Sequence, residues 1–441
     1  MHNERVFNRW LIPVAAVCVH ICIGSVYAWS VFNRPIKALF PGDPSWFSPP
    51  YTTFSTALVL LGLSAAFGGT WVERRGPRAA ATAAAILFGS GLIIGGIGLS
   101  SHQSWLVFLG MGVIGGMGCG LGYIAPVSTL VKWFPDRRGM ATGMAIMGFG
   151  GGAFVAGYLN QYFMDRLGVA STMFALGGLY FVVMMIGAAI IRRPPAGWKP
   201  AGWAQPLNTN AMISDRNLSR NDAIRTPQFL LLWGILFINV TAGIGILAQA
   251  SPMTQDIFQR TGAQAAAFVS QLSLFNAGGR FFWASSSDYT GRRATYIVFF
   301  LVQIVLFLVI PGFAGRGEWL LFACALFVVL SMYGGGFSTI PAFLADMFGP
   351  ENVGAIHGVI LTAWSAAAIV GPVIITELSD RAKAGLAPGA SKIHIYDQPL
   401  QVLAGLLAVG FILTTLVRPL ASTGRVVGHS PESGARYSGQ R

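Results

Sequence analysis

The chain has 441 residues, of which 54% are hydrophobic and only 10% charged. A soluble globular protein carries about 25% charged residues, so a soluble enzyme and a disordered chain are both excluded, and the sequence reads as an all-α membrane protein. The net charge of +13 is dispersed in short basic runs between apolar stretches, which fits membrane topology and not a nucleic-acid partner.

A bilayer is crossed by about 20 apolar residues. Windows of that length predict twelve transmembrane helices, in chain order at 10–32, 52–72, 79–99, 105–131, 140–160, 169–191, 228–250, 264–287, 294–314, 318–344, 354–378 and 399–417. The first run is too long for a signal peptide, and no small-residue cleavage site closes it. With the N-terminus inside, the inner segments hold 20 Lys and Arg residues and the outer loops 8. That excess predicts both termini on the cytoplasmic side. Cys18, Cys22, Cys119 and Cys324 all fall inside apolar stretches. They are expected to be packing residues, with no disulfide framework, no metal site and no cofactor.

The polar segment between spans six and seven divides the chain. Residues 1–191 are expected to form one six-helix half, 192–227 a cytoplasmic linker, 228–418 a second half and 419–441 a cytoplasmic tail. The halves match at a constant offset of 215 residues. Gly76 falls on Gly291, Pro126 on Pro341, Gly120 on Gly335, and Gly139 and Gly143 on Gly354 and Gly358. Six spans is an even number, so these are parallel repeats about an axis along the membrane normal. Between spans two and three stands Gly69-Thr70-Trp71-Val72-Glu73-Arg74-Arg75-Gly76-Pro77-Arg78. This stretch resembles the Gly-x-x-x-Asp-Arg-x-Gly-Arg-Arg marker of the major facilitator superfamily, whose fold is two pseudo-symmetric six-helix halves. Its counterpart in the second half carries Asp288 and Arg292. Glu73, Arg74, Asp288 and Arg292 are therefore candidate gating residues, expected to pair across the inner faces when the inside is closed. Glycines four residues apart, such as Gly112, Gly116 and Gly120, predict close and mobile helix packing.

Arg280 lies within span eight, roughly 12 Å inside the inner end of a core about 30 Å thick. A cation at such a depth costs about 2.5–3.5 kcal/mol on insertion scales. Its repeat counterpart is Ala65, and no Asp or Glu lies deep in any span. An unpaired guanidinium facing a cavity is a receptor for an anion. Asn276, one turn earlier, is a candidate second donor. Tyr27, Tyr123, Phe149, Tyr333 and Trp364 sit at comparable depth in other spans and are candidate walls of the same cavity. Phe149 and Trp364 are repeat counterparts. His20, mid-span in helix one, and His357, opening helix eleven, are possible proton sites.

Several stretches are similar to the oxalate/formate antiporter family of the superfamily. They include Gly24–Phe32, Lys132–Gly143, Thr241–Pro252, Asn276-Ala277-Gly278-Gly279-Arg280 and Gly358–Trp364. The resemblance implies a carrier of small organic anions in the inner (plasma) membrane, with substrate held at the midplane and the family's binding arginine at Arg280. There is one departure. The oxalate carrier's second substrate cation is a lysine in a Thr-Ala-Lys stretch, and here that stretch is Thr362-Ala363-Trp364. One buried cation favours a monoanion, since a second carboxylate left unpaired costs several kcal/mol. The expected function is exchange of a monocarboxylate of the formate, lactate or pyruvate type by a monomeric carrier. Proton-coupled symport and oxalate:formate exchange are the alternatives.

Overall fold

The computed structural model describes residues 7–41, 49–203, 212–214, 216–387 and 390–420. The described residues are mostly helical, with no strand among them. Ten helices are long and apolar enough to cross a membrane. One of these, Arg138–Ile190, breaks at Gly168, where φ is 76°, and so supplies two spans. The segment Gly262–Thr290 is missing from the ten because its serines, glutamines and Arg280 make it too polar, yet it is a continuous helix. Twelve membrane helices result, as the composition leads one to expect.

In chain order they are α1 (Leu11–Ile23, continued by a 3-10 segment Gly24–Phe32), α2 (Pro49–Arg75), α3 (Pro77–Ser100), α4 (Ser104–Trp133), α5 (138–167), α6 (169–190), α7 (Pro227–Phe258), α8 (Gly262–Thr290), α9 (Arg292–Gly315), α10 (Trp319–Phe348), α11 (Val353–Ala384, interrupted at Leu361) and α12 (Asp397–Leu416). Local chemistry sets the ends. Thr226 caps α7 ahead of Pro227 at its first position, where a missing N–H costs nothing. Thr261 and Gln264 form a reciprocal capping box on α8. The tight turns α2–α3 and α8–α9 each hinge on a glycine of positive φ, Gly76 at 95° and Gly291 at 85°, and these are repeat counterparts.

Helices α1–α6 pack among themselves, as do α7–α12, and the two groups meet mainly along α5 with α8 and α2 with α11. The end that carries Arg9 and the two glycine turns is termed inner. Here the paired helices touch backbone to backbone. A Cβ on Gly358 would come 2.1 Å from the Ala65 carbonyl oxygen, and one on Gly139 2.1 Å from that of Ala284. Towards the outer end the same faces continue with Ser55, Ser270 and Ile369, which are exposed. The inner side is thus shut, and the paired helices part above it.

The described parts of the 192–219 segment run along the inner face. The Arg192 carbonyl accepts from Trp133 Nε1 at 2.7 Å. Ser214 and Leu218 donate their N–H groups to the carbonyls of Asp346 and Phe348. All but the first two residues of the 419–441 tail lie outside the described residues.

Candidate functional site

Arg280 is 0% exposed, so its side chain does not snorkel to the membrane surface. No carboxylate pairs with it among the described residues. Its Nε donates to Asn276 Oδ1 at 3.1 Å, and its Nη1 to the Ile146 carbonyl on α5 at 3.3 Å. Nη2 has no partner within 3.5 Å among the described residues, although the Tyr27 hydroxyl is close enough to interact with the guanidinium. The guanidinium lies over Phe149 at 5.6 Å and Phe337 at 5.1 Å, which offsets part of the cost of burying it by cation–π attraction.

The five aromatic candidates come together from α1, α4, α5, α10 and α11. Phe149 meets Tyr27 at 5.2 Å, Tyr123 at 5.5 Å and Trp364 at 5.4 Å between ring centroids. The Tyr27 and Tyr333 hydroxyls lie 3.3 Å apart and join the two helix groups on the outer side of Arg280. Phe337 belongs to the same set, 4.6 Å from Trp364. The sequence reading missed it, although it stands one helical turn beyond Tyr333 on the same face. The Tyr123 hydroxyl and Trp364 Nε1 are buried without partners. Arg280 Nη2, the Tyr123 hydroxyl and Trp364 Nε1 are therefore unsatisfied within one ring cluster, as are both ring nitrogens of His357 beside Tyr123, and buried donors left so cost about 1–3 kcal/mol each. An anion with several acceptor oxygens would relieve the first three together.

Other candidates take different places. Asn276, expected as a donor to a ligand, instead presents its oxygen to Arg280. His20 stacks on Tyr123 at 5.3 Å, with Nδ1 2.8 Å from the Ala145 carbonyl and Nε2 3.2 Å from that of Tyr123. His357 lies on the other side of Tyr123 at 5.9 Å. Neither histidine contacts Arg280 directly.

The inner contacts have a symmetry that residue identities alone conceal. Glu73 accepts from the Gly354 N–H at the start of α11, at 3.0 Å. Its counterpart Asp288 accepts from the N–H groups of Gly139 and Met140 at the start of α5, each at 2.9 Å. Each carboxylate thus caps a helix N-terminus of the opposite group, where orphan donors and the helix dipole both favour negative charge. Among the described residues, none of the carboxylate–arginine pairs expected of Glu73, Arg74, Asp288 and Arg292 crosses the interface. Glu73 pairs with Lys132 of its own group, and Arg292 with Asp288 and Asp346 of its own group. The ion pair that crosses is Arg138–Asp346 at 2.7 Å, which the sequence reading did not single out because neither residue has a charged repeat counterpart. Arg74 is exposed and takes part in none of these contacts. In the α4–α5 loop, burial pushes the Asp136 carboxyl up, but the hydrogen bond and charge of Arg9 outweigh it and hold it below the usual carboxylate range.

Replacing Glu73 by Gln together with Asp288 by Asn is expected to loosen the inner closure. The measurement is maleimide labelling of Ser338→Cys, a position 0% exposed, in a background without the four native cysteines. Labelling should rise several-fold, since hydrogen bonds to charged groups contribute about 1.5–3 kcal/mol each. Unchanged labelling would deny these carboxylates a part in closure.

A family model described as Major Facilitator Superfamily matches residues 42–372. Over 366 residues the chain is 26% identical to the oxalate:formate antiporter of Oxalobacter formigenes, covering 82% of this chain and 83% of that protein. It is 23% identical to apicoplast pyruvate carrier 1 of Toxoplasma gondii over 458 aligned positions, covering 82% of each. Among solved structures, the E. coli fucose:proton symporter superposes with a TM-score of 0.67 at 13% identity, over 94% of this chain and 100% of that one.

Proposed function

This chain belongs to the Major Facilitator Superfamily and is a multi-pass membrane transporter, and we propose that its cargo is a small organic anion, a monocarboxylate of the formate, lactate or pyruvate type, exchanged by alternating access. The observation that carries this reading is the buried guanidinium of Arg280, which among the described residues has an unpartnered Nη2 and no carboxylate paired with it. The substrate carboxylate docks on it, and the Tyr123 hydroxyl and Trp364 Nε1 complete its hydrogen bonds. The aromatic walls keep water out and so strengthen the attraction. Binding cancels the buried charge, and the halves 1–191 and 228–418 then rock about the site. An empty carrier holds a bare buried cation, which favours exchange over net flux.

The relatives named for oxalate, formate and pyruvate support a carboxylate cargo. Trp364 favours one carboxylate over two, because no second buried cation faces the cluster. The remaining parts of the proposal are a monomer in the plasma membrane with both termini in the cytoplasm.

Counterflow into proteoliposomes tests this reading. Labelled formate, lactate and pyruvate are expected to enter vesicles preloaded with the same unlabelled anion, and oxalate poorly. Uptake that needs an imposed pH gradient and no internal anion would favour proton symport instead.

A further inference from the structure

The docking residue itself ties the two groups of helices together. Arg280 belongs to α8, yet its Nη1 hydrogen bond ends on the Ile146 carbonyl of α5. The backbones are close on either side of this bond. A Cβ on Gly143 would stand 2.8 Å from the Arg280 carbonyl oxygen, and one on Gly150 3.1 Å from Arg280 Nε. The bond therefore lies inside the contact that must change if α5 and α8 move apart.

A carboxylate binds a guanidinium best through two adjacent N–H donors. Nε carries a single hydrogen, and Asn276 Oδ1 holds it at 3.1 Å. The edge that includes Nε is thus closed to the ligand. What remains is the end formed by Nη1 and Nη2. Nη1 carries two hydrogens, but an anion docked there brings its oxygens beside the Ile146 carbonyl on the same nitrogen, and acceptors so close repel each other in a site with little water.

We propose that the incoming carboxylate displaces the Ile146 carbonyl from Arg280 and so releases α5 from α8, with Asn276 as the positioning residue that directs the carboxylate to the Nη1–Nη2 end. This rests on the reading of Arg280 as the anion site and adds how binding is transmitted to the helices. Binding and helix separation are then two sides of one exchange of acceptors, and a ligand shifts a conformational equilibrium only through such a difference between states.

The experiment uses the full-length carrier in lipid nanodiscs, with spin labels at Asp165 and Gln264, exposed positions at the outer ends of α5 and α8. Saturating sodium formate is the probe, and its binding is read separately from formate-dependent thermal stabilisation. In otherwise native protein, formate is expected to bind and to change the label distance. Asn276→Leu opens the Nε edge, so formate should still bind with an affinity close to that of the parent, while the distance change is largely lost. The same variant should exchange formate with near-normal KM and a maximal rate about tenfold lower. Asn276→Gln, which keeps the acceptor, should recover part of both responses. A full distance change in Asn276→Leu would overturn the proposal. So would loss of formate binding in that variant, which would make Asn276 a direct ligand contact. Arg280→Ala separates the two readings: formate binding retained there removes the anion site itself, whatever Asn276→Leu does.

Discussion

Arg280→Ala is expected to lower exchange of the transported monocarboxylate at least ~30-fold, because removing one partner of a buried, hydrogen-bonded charge pair costs about 2–5 kcal/mol. The folded carrier should survive the change. Arg280 is a net burden to the empty protein: its charge is fully buried, and among the described residues it finds no carboxylate and its Nη2 has no partner within 3.5 Å. Loss of transport with unchanged or raised thermal stability is thus the expected pattern. Arg280→Lys should fall between the two, since an ammonium keeps the charge but loses the planar fork that holds a carboxylate at two points. The check is initial-rate counterflow beside size-exclusion behaviour in detergent. Wild-type rates in the alanine variant would remove the anion site.

Trp364→Lys is expected to change which anion is carried. Trp364 touches Phe149 and Phe337, the two rings that flank the guanidinium. A lysine there puts a second cation in the same ring cluster. Two cations balance two carboxylates, and the several kcal/mol that an unpaired second carboxylate would cost disappears. The ratio of oxalate to formate uptake should rise by roughly 100-fold. Formate alone would leave one of the cations bare, so its own uptake should weaken. A panel of mono- and dicarboxylates in the same vesicles measures both. An unchanged ratio would mean that charge count at this position does not select the substrate.

Arg280 shows how a candidate site becomes legible before a structure exists. A cation deep in an apolar span is costly enough to need a reason, and the aromatic residues at its depth are few. Phe337 escaped only because nothing but its spacing from Tyr333 pointed to it. Asn276 stands one turn from Arg280 in the chain, and because a guanidinium only donates, it is the amide oxygen that faces it. The inner closure was harder. Asp288 and Glu73 are conspicuous at matching places in the repeat, and pairing with arginines seemed natural. Their partners across the interface are backbone N–H groups of Gly139, Met140 and Gly354, which every residue but proline possesses and no sequence pattern advertises. Arg138–Asp346 has no echo in the other half, so the repeat could not reveal it.

The amino-acid order by itself determined the class, the twelve spans and the internal repeat, because a bilayer admits little besides apolar helices of one length and its surface charge sorts the basic loops. It also determined that one buried charge would stand unmatched. Only the tertiary structure decided which groups that charge meets, which helix ends the carboxylates cap and which end of the bundle is shut. Those are matters of helix rotation and approach, set by side-chain and backbone packing between segments some 140 to 280 residues apart, over which local composition has no hold.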